Sequence, residues 1–331
     1  MKICIIKLSA MGDIIHAMVA LQFIKKSKPN IKIDWIVEDG FKAVLENNPD
    51  IDNILPVNLK SIKKNKMELF SQIKLLNSYA KNNYDLVIDA QGLLKSAIVA
   101  KIIGGRVVGS KIIGFDKDSI REGISSWFYD ETVNIGYEKN VIDRNVKLFS
   151  KALSIKIEKK DILNKKPFLF SKELNIKHLT FNIIFIVGAS KPNKIYPKEK
   201  FLELAQRLDE NIEVVWGNDE EYDTALWLSE QSDLIQVAKK GNLDDLKFKI
   251  QNSKLIIGGD TGPTHMAWAL NIPSITIFGN TPDYRNTYIT DINQVIKSDS
   301  YVDPLNLDKN DFSIENIKAA QVYDMAKELL K

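Results

Sequence analysis

One cysteine stands among 331 residues, so Cys4 has no partner for an internal disulfide and cannot build a cysteine metal site. It lies inside the first apolar run and is expected in the core. No stretch of about 18 apolar residues occurs, which argues against a membrane-spanning helix. Lys7 and Gly12 interrupt the first apolar run, so the pattern of a secretory signal is missing and a cytoplasmic protein is expected. Histidine is sparse, with only His16, His178 and His265; His178 sits in no motif and reads as a surface residue. Neither the first strand nor the one ending at Val187 carries G-x-G-x-x-G, which argues against a nicotinamide dehydrogenase. The absence of G-x-x-x-x-G-K-S/T argues equally against a P-loop kinase. A strong excess of one charge is lacking too, with 46 Lys and Arg against 43 Asp and Glu. No aromatic-interleaved basic patch accompanies the lysines, so nucleic acid is not the expected partner.

What is present is an uneven distribution. Residues 1–150 carry 22 basic against 17 acidic side chains, and residues 151–331 carry 24 against 26. Much of the first surplus lies in Lys60-Ser61-Ile62-Lys63-Lys64-Asn65-Lys66. Such a run is either a solvated loop or a surface that attracts an anionic acceptor or a phospholipid headgroup.

Short apolar runs alternate with helical periodicity throughout. In the first half, Lys2–Ser9, Lys32–Glu38, Asn53–Val57, Leu86–Gln91 and Arg106–Gly109 read as strands. In the second, Asn182–Val187, Ile212–Trp216, Leu234–Val237, Leu255–Gly259 and Ser274–Phe278 repeat the pattern. Helices are predicted over Asp13–Lys26, Met67–Lys81 and Gly92–Ile103. Continuous Ile, Val and Leu runs of this length suit parallel strands covered on both faces. The fold class is therefore α/β, with two doubly wound, Rossmann-like parallel-sheet domains facing each other across a cleft. Domains are expected at 1–160 and 167–312, separated by the lysine-rich Lys156–Lys166 linker, with a last helix in 313–331 packing back on the first.

Two strand ends carry the chemistry. Leu255–Gly259 runs into Asp260-Thr261-Gly262-Pro263-Thr264-His265, where glycines allow close backbone approach, threonines offer hydroxyls and a helix begins. This is either a phosphate or diphosphate pocket, or an ordinary connection with Asp260 as the helix N-cap. Lys2–Ser9 likewise breaks at Gly12 and opens a helix with Asp13 in its first turn, where ligands of open α/β sheets are found. Asp13 is a carboxylate for a site or an N-cap. A phosphate-bearing donor and a carboxylate suit a nucleotide-sugar glycosyltransferase.

The runs Ile6 to His16, Asp34 to Phe41, Asp89-Ala90-Gln91-Gly92-Leu93-Leu94-Lys95-Ser96 and Asp260 to His265, in this order, closely resemble the heptosyltransferase I family of lipopolysaccharide core assembly. The resemblance covers nearly the whole chain. It implies a GT-B fold, an inverting mechanism, ADP-L-glycero-β-D-manno-heptose as donor, and the inner Kdo of Kdo2-lipid A as acceptor. It places the reaction on the cytoplasmic face of the inner membrane, with the protein associated peripherally with that anionic surface. Asp13 then matches the catalytic base. Ser190, Lys194, Asp260, Thr261, Gly262 and His265 match the donor site, with Thr261, the Gly262 N–H and His265 on the diphosphate and Lys194 or nearby Lys191 neutralising the leaving ADP. Asp260 fixes the turn or meets a sugar hydroxyl. Glu220 or Glu221 matches a position that binds the nucleotide ribose. Lys60, Lys63, Lys64, Arg106 and Arg121 are the acceptor candidates, because Kdo carboxylates and lipid A phosphates demand cations. His16 contacts a substrate or lies on the helix surface, and Trp127-Phe128-Tyr129 reads as packing rather than a sugar platform.

No cofactor is expected and no metal, because a lysine can stand in for a cation at the diphosphate and no carboxylate pair of the D-x-D kind that metal-dependent sugar transferases use is read in the chain. Gly188-Ala189-Ser190 stands where the family commonly has two threonines, and Ala10 replaces a family serine, leaving Ser9 nearest. A heptosyltransferase II or another transferase of the same fold would share the donor pocket. A two-lobed small-molecule binding protein would bind ligand without turnover.

Overall fold

Burial on both faces decides the sheet architecture. In the computed structural model, which describes residues 1–105, 108–172 and 182–331, the chain divides into two units, Met1–Phe168 and Leu169–Lys331. The first holds β1 (Lys2–Ile6), β2 (Lys32–Glu38), β3 (Asn53–Val57), β4 (Leu86–Asp89), β5 (Lys111–Phe115) and β6 (Glu131–Val133). They form one six-stranded sheet of order β3-β2-β1-β4-β5-β6. Every pairing in it is parallel. The second holds β7 (Ile183–Ile186), β8 (Ile212–Val215), β9 (Ile235–Val237), β10 (Leu255–Gly259), β11 (Ser274–Phe278) and β12 (Asn293–Lys297). Its order is β12-β11-β10-β7-β8-β9, also parallel throughout. Counted from each unit's own first strand, the two orders are identical. The order reverses between β1 and β4 in one sheet and between β7 and β10 in the other, and the crevice outside the carboxyl ends of such strands is where ligands bind.

Each unit has its own core. Cys4, Ile6 and Leu8 pack with Val87, Ala100 and Ile103 in the first, and burial pushes the Cys4 thiol pKa up. In the second, Phe185, Phe201, Ile257 and Ile277 pack with Ala319, Val322 and Ala326.

Several expectations are corrected. Of the strand sought at Arg106–Gly109, Arg106 and Val107 lie outside the described residues, while Gly109 sits at φ +86 in a turn, a conformation that does not continue a strand; the next strand is β5. β6 and β12 escape sequence reading because their residues are of mixed polarity and only partly buried. The helix expected from Asp13 starts at Met11 and runs as Met11–Met18 and Ala20–Ser27, with Val19 between them still at helical dihedrals. The supposed linker contains a short helix, Lys159–Leu163. The last helix, Ala319–Leu329, packs on the Lys198–Leu208 helix within the second unit. Its apolar stripe of Ala319, Val322 and Ala326 belongs to that core.

Candidate functional site

In the first unit the loops after β1 and β4 are tied into one ledge. Gln91 Oε1 accepts the Leu8 and Ser9 N–H groups at 3.0 and 3.1 Å. Lys7 Nζ donates to the Ala90 carbonyl at 2.8 Å. The Ser9–Ala10 peptide between them is cis. On this ledge begins the Met11–Met18 helix, whose N-cap is Ala10. Asp13 is therefore not the cap; its Oδ2 accepts the Ala10 N–H at 3.3 Å from inside the first turn and its side chain is half-buried. The carboxylate is thus oriented by the backbone yet reachable by solvent. His16, one turn on, is 3% exposed, so its helix-surface alternative is overturned.

Asp89 holds the ledge from below. Fully buried, it accepts from the Gln91 and Gly92 N–H groups and from the Ser96 and Tyr129 hydroxyls. Burial raises its pKa despite those donors. Tyr129 is accordingly a packing residue, but Trp127 is 79% exposed and the packing reading fails there.

The acceptor candidates lie along the same sheet edge. Lys60, Lys63 and Lys64 are exposed around the Ser61–Lys63 turn, with Lys60 Nζ 4.8 Å from the Phe41 ring centroid. Arg121 is exposed and 5.1 Å from the Tyr137 ring. Arg106 and His178 lie outside the described residues. Glu38, at the end of β2, was missed as an individual residue. Its carboxyl is buried, and burial pushes its pKa up against the pull of Lys95 and Lys60.

In the second unit Asp260 is the hub. Its Oδ2 meets Lys194 Nζ at 2.6 Å, Thr281 Oγ1 at 2.8 Å and Asn286 Nδ2 at 3.1 Å. Its Oδ1 faces His265 Nε2 at 3.1 Å. Burial would raise this carboxyl, but the Lys194 charge and the His265 hydrogen bond outweigh it and hold the pKa far below the usual range. Lys194, rather than exposed Lys191, is thereby the lysine brought to the strand ends. Gly259 makes this possible, since a Cβ there would come within 2.7 Å of the Lys194 carbonyl.

Asp260 is not the N-cap of the following helix, Gly262–Leu270; Thr261 is. Its half-buried side chain makes no capping bond, and first-turn N–H groups have no intrahelical acceptor. Thr281 and Asn286 were overlooked by sequence reasoning. Their signal was available, as Asn280-Thr281-Pro282 directly follows the apolar run of β11 and so stands at a third strand end.

Ser190 is exposed after β7. Glu220 is exposed, whereas Glu221 is half-buried and accepts the Gly217 N–H at 2.7 Å and Asn218 Nδ2 at 2.9 Å. Its side chain lies over Gly188, where any Cβ would collide with it. Two D-x-D triplets outside the motifs were passed over. In Asp50-Ile51-Asp52, Asp52 is bound by Lys25 and Lys32, and in Asp116-Lys117-Asp118, Asp116 is bound by Ser119 and Asn134. Among the described residues no three His, Cys, Asp or Glu side chains gather as a metal site.

Residues 73–310 match the model of glycosyltransferase family 9 (heptosyltransferase). The sequence is 39% identical to lipopolysaccharide heptosyltransferase 1 of Campylobacter coli over 99% of both chains. It is 28% identical to the lipopolysaccharide heptosyltransferase 1 of Escherichia coli K12, covering 85% of this chain and 88% of that one. The structure superposes on E. coli heptosyltransferase WaaC with ADP at a TM-score of 0.83, with 25% identity, over 99% of this chain and 100% of that one.

Proposed function

The chain belongs to glycosyltransferase family 9, the heptosyltransferases, and from that premise we propose that it moves L-glycero-D-manno-heptose from ADP-heptose to the inner Kdo of Kdo2-lipid A. The transfer inverts the anomeric centre, needs no metal and takes place at the cytoplasmic face of the inner membrane. The names of the relatives support the step in lipopolysaccharide core assembly. WaaC structures that hold ADP and ADP-2-deoxy-2-fluoro heptose support the donor. The observation that carries the reading is the Asp260 hub, which holds a lysine and a histidine at the start of a helix whose N–H groups suit a diphosphate.

Asp13 takes the proton of the acceptor hydroxyl as that oxygen attacks the anomeric carbon. The bond from that carbon to the diphosphate oxygen breaks, and ADP leaves. Lys194 neutralises the charge that develops on the leaving group, while the Thr261 hydroxyl, the Gly262 N–H and Ser190 hold the diphosphate. His265 turns Nε2 to Asp260 and supports the lysine's partner. Glu221, fixed by the Gly217 N–H, is the better placed of the two glutamates for a ribose hydroxyl. Lys60, Lys63, Lys64 and Arg121, together with Arg106, receive the acceptor's carboxylates and phosphates, and His16 supports the helix that carries Asp13.

The test is mass spectrometry of Kdo2-lipid A incubated with the protein, ADP-heptose and a chelator. One added heptose is expected, and Asp13→Ala should slow transfer by about a hundredfold or more while still binding ADP-heptose. Donor binding without transfer would point to another acceptor. No donor binding would overturn the assignment.

A further inference from the structure

The first unit leaves an unusual amount of apolar surface uncovered on one side. Among the described residues, eight of the twenty exposed large hydrophobic side chains lie on three elements of this unit: the Glu68–Ala80 helix with its N-cap Met67, the Leu94–Gly104 helix, and the Gly123–Phe128 turn. The two helices pack on each other and the second packs on the turn, so the three form one continuous face. Met67 and Phe70 are each 69% exposed and Trp127 is 79% exposed, with Ile73, Ile98 and Ile124 also open. Folding gains nothing from leaving such groups in water.

Along the first of these elements the charge is mostly of one sign, while exposed Glu122 and Asp130 flank the Gly123–Phe128 turn. Residues 60–81 carry six lysines and a single acid, Glu68, and Lys63, Lys64, Lys66 and Lys74 are all exposed. Large apolar side chains beside a run of lysines match an anionic bilayer, where the apolar groups enter the acyl boundary and the lysines meet headgroups. A second copy of the chain fits less well, because a symmetric dimer would press this lysine-rich face against itself. Met67 and Phe70 stand in the first turns of a helix that follows β3, at the same carboxyl edge of the sheet as Asp13.

We propose that the face formed by the Glu68–Ala80 helix, the Leu94–Gly104 helix and the Gly123–Phe128 turn docks onto a bilayer of anionic phospholipid. The proposed function explains why such a face would adjoin the site, since the acceptor is a lipid, but lipid binding itself requires no substrate. Docking brings the Asp13 edge to the membrane surface.

Vesicle sedimentation without substrates tests this. The wild type should partition onto vesicles rich in phosphatidylglycerol and not onto pure phosphatidylcholine. Met67→Ser with Phe70→Ser should lower that partition by about tenfold. Lys66→Gln with Lys74→Gln should lower it by about tenfold at low salt and less at high salt. Both double variants should transfer heptose normally to acceptor dispersed in detergent, which separates a failure of docking from a failure of the enzymatic reading. Indifference of binding to Met67→Ser and Phe70→Ser, or equal binding to both lipids, would overturn the proposal. So would a wild-type dimer that those two substitutions dissociate, which would assign the face to a second copy.

Discussion

At Asp260 four donors converge on one buried carboxylate, and each constrains the others. Lys194 alone would supply charge but little orientation; Thr281 and Asn286 fix the carboxylate's plane and so the position of the ammonium. Thr281→Val should therefore weaken ADP-heptose binding by about tenfold, the scale of a lost hydrogen bond to a charged group, and Thr281→Ser should restore it. Loss of a donor also raises the depressed pKa of Asp260. On acidification the variant should consequently lose donor affinity at a higher pH than the wild type, as calorimetric titration across the acid range would show. Unchanged affinity in Thr281→Val would mean that the hub does not position Lys194. The sequence already placed Asp260, Thr261, Gly262 and His265 at a strand end, because the glycines and hydroxyls adjoin the apolar run. Asn286 was invisible there, as it is 26 residues from the carboxylate it meets.

Among the elements, the strands buried on both faces were the easiest to read. β2, β10 and β11 begin and end where the apolar runs do, since parallel strands covered by helices have no polar side to blur the pattern; β3 is legible too, although it is an edge strand and only partly buried. The mixed-polarity strands β6 and β12 lack that constraint. At the amino edge of the first sheet, Asp52 accepts the Ile33 N–H at 2.8 Å and pairs with Lys25 and Lys32. Burial would raise its pKa, but Lys32, the Ile33 N–H and Lys25 together bring it down to about 2. A folded pKa below the unfolded value stabilises the protein above about pH 4, and that stabilisation is lost as pH falls through about 2. Asp52→Asn should thus cost about 1 kcal/mol at neutral pH, discounted for the partial exposure of the pair. The gap in Tm between wild type and variant should close as the pH falls from about 4 to 2. A gap that stayed constant would show that the charge of Asp52 contributes nothing.

The whole molecule consists of two units of one topology with separate cores. Phe201 is fully buried in the second core, and Phe201→Ala should cost about 3–5 kcal/mol. Hydrogen exchange should report lost protection chiefly in residues 169–331, and uniform loss across the chain would show that the two cores unfold as one. By itself, the sequence determined the doubly wound class, the strand-end motifs, the family resemblance and the basic character of the first half. All of these are written in runs of about a dozen adjacent residues, where periodicity and turn chemistry act locally. Only the tertiary structure decided that Lys194 rather than Lys191 meets Asp260, that Glu221 is held while Glu220 is free in solvent, that the last helix stays with the second core, and that Met67, Phe70 and Trp127 remain exposed. Those outcomes depend on which distant segments the sheet order brings together, and no local pattern encodes the partner of a polar group or the cover of an apolar one.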